Sequence, residues 1–181
     1  MVAQCPPNGA DCSRPLRWKP ASSNPAALMQ NHARPRLRVF WPSSTPRART
    51  GRARIGEINR AINLAVRPQS DLVRFGVRDV WTTPLTTFAA GAGDCEDYAI
   101  AKYVALREAG VALEDLRILI VRNRALNEDH AVAAARIDGE WLILDNRHML
   151  LLTDDHATGL TPLVSLDHHD GAETVTVAQA G

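Results

Sequence analysis

The chain has 181 residues, 45% of them hydrophobic and 23% charged, a composition that suits one globular domain with a sizeable core. Nine arginines and Lys19 against Asp11 alone give residues 1–54 a charge of +9, which leaves −8 for the remainder of a chain whose net charge is +1. No stretch has the length of a membrane-spanning helix, and three cysteines make neither a disulfide scaffold nor a zinc site.

Residues 1–54 read as a basic Pro/Ser/Arg-rich arm, partly disordered, because "NHARPRLRVFWPSSTPRARTGRAR" sustains no period. The N-terminal "MVAQCPPNGADCSRPLRW" lacks the apolar core of a secretory signal. That is the pattern of a protein kept inside the cell, or of a chain without its natural start. An Arg-rich, acid-poor arm also has some likeness to a transit peptide. Cys5 and Cys12 would close a small loop in an oxidising compartment. Trp18 and Leu37–Trp41 are apolar enough to dock on the domain, and the arm's charge suits an acidic surface or nucleic acid. A solvated tail is the simpler reading, and no nucleic-acid partner is expected.

The ordered domain, 55–181, opens with a helix. Ile55, Ile58, Ala61, Ile62 and Ala65 recur at helical spacing until Pro68. A turn-rich connection, "GVRDVWTTP", leads to a glycine approach at 91–93 and a second helix over 95–109, stopped by Gly110. Its "YAIAKYVALREA" is apolar nearly all round, as in a central, packed helix. Strands are expected at 116–122, 130–137 and 140–146, the last two joined by Asp138-Gly139, a two-residue hairpin signal. "LVSL" and "ETVTVA" read as short strands in the tail.

That hairpin carries a geometric test. If Asp138-Gly139 is the loop, Ile137 pairs with Glu140 and Val132 with Asp145. His130 and Asp145 then project from one face as diagonal neighbours, roughly 7–8 Å apart at the backbone and within hydrogen-bonding reach. A slip of one residue would separate them to opposite faces. A histidine oriented by a carboxylate, with a cysteine nearby, is what thiol nucleophilic catalysis requires. Cys95, at a helix start whose free N–H groups favour a thiolate, supplies the sulfur. Each residue also has a structural reading: Cys95 as packing, His130 as a satisfied polar residue, Asp145 as a strand terminator.

The neighbours of Cys95 are acidic, which opposes thiolate formation. Asp94 is a natural N-cap and Asp97 stands where a capping box places its acid. Neither role needs Glu96. Three carboxylates within four residues also suit a hard cation such as Ca²⁺, at a spacing too compressed for an EF-hand.

"RDVWTTPLTTFAAGAGDCEDYAIAKYVALREAGV", with His130 and Asp145 downstream, strongly resembles the bacterial transglutaminase-like cysteine proteinases of LapG type. The resemblance covers about residues 55–150 and rests chiefly on the Gly-Asp-Cys-Glu-Asp-Tyr block. It implies an α+β, papain-like/transglutaminase-like core, with a central helix carrying the nucleophile packed on an antiparallel sheet. It implies Cys95 as nucleophile, His130 as general base and acid, Asp145 as orienting carboxylate, and Ca²⁺ held by Asp94 and Glu96 with Asp97. It further implies a periplasmic location, although no signal peptide is visible and the cytoplasm is the alternative. Its partners would be a protein substrate, in LapG-type members a surface adhesin, and a cyclic-di-GMP receptor as regulator. The leading expectation is therefore a calcium-dependent cysteine endopeptidase. The same triad also serves a transglutaminase or deamidase, since a thioester is resolved by water or by an amine. A non-catalytic calcium-binding interaction module is the reading of a different class.

Overall fold

The computed structural model describes residues 50–153, 155–169 and 172–177. The readings for residues 1–49, including the Cys5–Cys12 loop and the docking of Trp18 and Leu37–Trp41, lie outside the described residues.

Helix α1 spans Gly51–Ala65, four residues earlier than the apolar period begins, and buries Ile55, Ile58 and Ile62 along one stripe. Strand β1 (Arg67–Pro68) follows, then α2 (Asp71–Phe75), α3 (Pro84–Ala90), β2 (Ala92–Gly93) and α4 (Cys95–Glu108). The connection read as turns is irregular from Gly76 to Thr83, and a short helix that the sequence reading did not assign lies on either side of it. The start of α3 has a legible cause: Pro84 sits in its first turn and the Thr83 hydroxyl accepts from the Thr86 N–H at 3.3 Å. Five-residue α2 is too short to show a period.

After a 3₁₀ turn at Leu113–Asp115 come β3 (Leu116–Asn123), β4 (Glu128–Ile137), β5 (Glu140–Leu144), β6 (Leu152–Thr153), β7 (Leu160–His169) and β8 (Ala172–Val177). These last six form an antiparallel sheet in the order β6-β5-β4-β3-β7-β8. Strands β1 and β2 form a separate parallel pair beside α4. Both tail strands are present: "LVSL" lies within β7, and "ETVTV" of "ETVTVA" within β8, Ala178 falling outside the described residues.

The β4–β5 register is the expected one. Ile137 pairs with Glu140 and Ala133 with Leu144, and the ladder stops one residue short of Asp145. Asp138 and Gly139 both have positive φ, 52° and 83°, as the tight hairpin turn demands.

Helices α1 and α4 pack on one side of this sheet. Ile58, Ile62, Val66, Tyr98, Ala101 and Leu106 meet Leu116, Ala133, Ala135, Leu142 and Leu144. The alanines of β4 let α4 approach closely, and burial of the leucines at about 25 cal/mol per Å² of apolar surface supplies the driving force. A smaller cluster forms apart from this core: Val121, Val132 and Ile143 on alternate positions of the same strands, with Ala157 from the loop before β7. This is an α+β fold with a central helix laid on an antiparallel sheet, and the first residue of that helix is Cys95.

Candidate active site

His130 and Asp145 are both almost wholly buried, and the His130 Nε2 lies 2.9 Å from Asp145 Oδ1. Asp145 Oδ1 also accepts from the Arg147 N–H at 2.9 Å, and its Oδ2 lies 3.1 Å from Nδ1 of His148. Burial pushes the Asp145 carboxyl up, but the His130 hydrogen bond, the Arg147 N–H and His148 outweigh it and hold the group well below the usual carboxylate range. The other ring nitrogen of His130, Nδ1, is buried with no hydrogen-bond partner among the described residues.

Cys95 is partly buried at the N-terminus of α4, and the Ala131 N–H, next in the chain after His130, approaches its sulfur. The thiol donates to Glu96 Oε2 at 2.9 Å. Burial, then the Glu96 charge and this hydrogen bond, push the thiol up to about 12, against the smaller opposing effect of the Ala131 N–H. The three residues singled out by spacing are thus brought to one end of β4, with the thiol proton directed to Glu96.

The acids flanking Cys95 divide. Asp94 occupies the N-cap position, yet its side chain makes no capping hydrogen bond. Asp97 does not close a capping box either, because other partners claim it. Its Oδ1 accepts from the Thr82 N–H at 3.1 Å and the Thr82 hydroxyl at 2.6 Å, and its Oδ2 pairs with Arg74. Arg74 lies 3.7 Å from Asp71, and Asp71 accepts from the Val80 N–H. The segment through Val80 and Thr82 is therefore pinned over the start of α4 by two buried carboxylates. Gly93 completes this arrangement: a Cβ there would stand 2.7 Å from the Asp97 Cβ.

Ligand atoms of Asp71, Asp94 and Asp97 lie within 4.8 Å of one another, and Oδ1 of both Asp71 and Asp94 is buried without a hydrogen-bond partner. Burial, then the charges of Glu96, Asp71 and Asp97, raise the Asp94 carboxyl to about 8. Four acidic groups stand against Arg74, and two of their buried oxygens accept no hydrogen bond, an oxygen-donor set that fits a hard cation. Asp71 is an addition to the group read from the sequence, and a cleft of about 300 Å³ lined by Ser70, Asp71, Arg78, Asp79 and Asp94 opens beside it.

Spacing alone missed several residues. Asn59 and Asn63, four apart on the buried stripe of α1, grip the turn after β5: Asn63 Nδ2 donates to the carbonyls of Asp145 and His148 at 3.0 Å, and Asn59 Nδ2 to that of His148 at 3.0 Å. Lys102 of α4, wholly buried, donates to the Leu144 carbonyl at 3.2 Å. Two amides on an apolar stripe and one cation in an apolar helix were the available signals.

Among curated proteins there is no sequence match. Among solved structures the chain is similar to LapG of Legionella pneumophila, at 30% identity over 68% of this chain and 67% of that one, with a TM-score of 0.59. Its calcium-bound form matches with the same figures, and its EGTA-treated form at 30% identity over 70% and 66% with a TM-score of 0.60. The chain thus spans about two thirds of the length of these relatives. Residues 37–159 match the family model of the bacterial transglutaminase-like cysteine proteinases, and with that fold beneath it the chain belongs to this family and is a cysteine peptidase.

Proposed function

We propose that this cysteine peptidase is a calcium-dependent endopeptidase acting through Cys95, His130 and Asp145. The observation that carries the reading is the buried His130–Asp145 hydrogen bond with Nδ1 left unpartnered. A tautomer held by Asp145 at Nε2 leaves Nδ1 as the lone-pair nitrogen that accepts the thiol proton. For this the Cys95 proton must leave Glu96, because a thiol at about 12 is almost entirely protonated at neutral pH.

The chemistry then follows thiol acyl transfer. The sulfur attacks the scissile carbonyl carbon, and free N–H groups at the start of α4 face the developing oxyanion. His130 returns its proton to the leaving amine as the C–N bond breaks. Water, deprotonated by His130, resolves the thioester, releasing the acid and restoring the thiol. Asp145 stays ionised throughout and stabilises the imidazolium.

Asp71, Asp94 and Asp97, whose ligand atoms cluster, with Glu96 next to Asp97 in the chain, are the residues that would hold calcium. When bound, the ion supplies positive charge that offsets the carboxylates beside the sulfur. Likeness to a calcium-bound LapG and the buried Asp71 and Asp94 oxygens that accept no hydrogen bond support this. Resemblance to LapG-type members also supports a periplasmic location, a surface or secreted protein as substrate, and regulation by a cyclic-di-GMP receptor.

The test is labelling of Cys95 by a thiol-directed activity probe with calcium present. Labelling that disappears in His130→Ala and in Cys95→Ala, with folding retained, is expected. Wild-type labelling of Cys95 in His130→Ala would remove the general base and with it the mechanism.

A further inference from the structure

Cys95 and Lys102 are seven residues apart on α4, so they lie on the same helix face, about 20° apart and roughly 10 Å along the axis. The face that brings the sulfur to the Ala131 N–H brings the ammonium to the end of β5. We propose that Lys102 is a positioning residue for the reaction: by holding the Leu144 carbonyl it fixes the Asp145 carboxylate against His130. The inference rests on the Cys95–His130–Asp145 reading and assigns that triad a further support.

Lys102 is fully buried, and its acceptor is a backbone carbonyl, 3.2 Å from Nζ. Burying an ammonium costs several kcal/mol, and an apolar side chain of the same length would fill the space without that cost. Packing therefore does not account for a lysine here. Its acceptor belongs to the last residue of β5, immediately before Asp145, where the β4–β5 ladder has ended. Ladder hydrogen bonds thus cannot hold residue 145, and side chains take over. Lys102 grips the carbonyl of Leu144 from α4, and Asn63 grips that of Asp145 from α1. Two consecutive peptide units are anchored from two helices, and the carboxylate between them is aimed at His130.

The charged and titratable groups around Lys102 agree with this role. Burial brings Lys102 down to about 7, against the smaller opposing effect of the Asp145 charge just beyond β5. Tyr98, on the same helix, places its ring 5.7 Å from Nζ. Asp145 in turn is hydrogen-bonded to His130 on β4 and to His148 in the turn after β5, and the uncharged Asn63 of α1 holds its carbonyl. One buried amine donor thus stands behind the carboxylate that orients the base.

The experiment measures alkylation of Cys95 by iodoacetamide in the calcium-saturated full chain, from about pH 5 to 9, with the Cys95 peptide followed by mass spectrometry. Lys102→Met should keep or raise the melting temperature at pH 7, yet slow alkylation roughly 10- to 100-fold and move the acid limb of the profile. Lys102→Gln, which keeps a donor, should recover part of the rate, and it carries the test if the methionine variant does not fold. In an Asp145→Asn background, Lys102→Met should slow alkylation no further, because its effect passes through that carboxylate. A folded Lys102→Met variant with wild-type rate and profile, while Asp145→Asn is slow, overturns the lysine's role and leaves the triad standing. Wild-type rates in Asp145→Asn itself would instead overturn the triad reading.

Discussion

Asp97→Asn tests the buried scaffold beneath Cys95. Asp97 has no exposed surface and accepts three hydrogen bonds, two from Thr82 and one from Arg74. The Arg74 side chain is itself only 7% exposed, and without Asp97 its nearest carboxylate is Asp71 at 3.7 Å. Breaking a buried ion pair from one side costs about 3–5 kcal/mol, since the remaining charge stays buried. Asparagine keeps a carbonyl for Thr82, which places the expected loss near the lower end, about 3 kcal/mol. At roughly 2–8 °C per kcal/mol, that lowers the melting temperature by about 6–24 °C. Thermal unfolding followed by circular dichroism, in chelator and again in calcium, is the assay. The loss should appear in both, because the ion pair forms without the metal. A loss confined to calcium would make Asp97 purely a ligand, and a change below about 1 kcal/mol in chelator would refute the ion-pair argument. Arg74→Met combined with Asp97→Asn should cost less than the two separate losses together, as expected for direct partners.

Asp145→Asn should fold and lose roughly 10²–10⁴-fold in turnover, since asparagine loosens the orientation of His130 without removing it; steady-state kinetics on a protein substrate decides. The same variant should flatten the acid side of the stability curve. The folded-state value of Asp145 is depressed, so its contribution is fully present above about pH 4 and is lost as pH falls below that towards the folded value. Exhaustive chelation should lower activity and melting temperature together, by about 2.7 kcal/mol relative to calcium at a hundred times its dissociation constant. Asp94→Ala and Glu96→Ala should copy that effect, and Mg²⁺ should rescue poorly because it demands a tight octahedral shell. Unchanged values across a calcium titration would leave these acids without a metal role. Gly93→Ala should destabilise by about 1–3 kcal/mol, measured by denaturant unfolding, because its Cβ meets Asp97 at 2.7 Å and Thr87 at 3.1 Å.

How much of this was legible in the sequence depends on the range of the interaction. Local signals were sufficient for the hairpin: Asp138-Gly139 sets the register, and the register alone brings His130 and Asp145 together. The start of α4 was equally legible, because glycines precede it and an acid stands at its N-cap. Capping rules failed at Asp97 because they weigh only neighbours in the chain, whereas Thr82 and Arg74 arrive from 15 and 23 residues away and offer a hydroxyl, an N–H and a charge. Helix α2 was invisible for a related reason. A five-residue helix has no period to read, yet it supplies Asp71 and Arg74, which order the loop beside the start of α4. Asn59, Asn63 and Lys102 are polar residues on faces whose spacing says they are buried. A buried polar group must find a partner, so such residues predict that a backbone needs holding, though not which one. Here the partners are the carbonyls of Leu144, Asp145 and His148, where the sheet has ended and the carboxylate still has to be held in place.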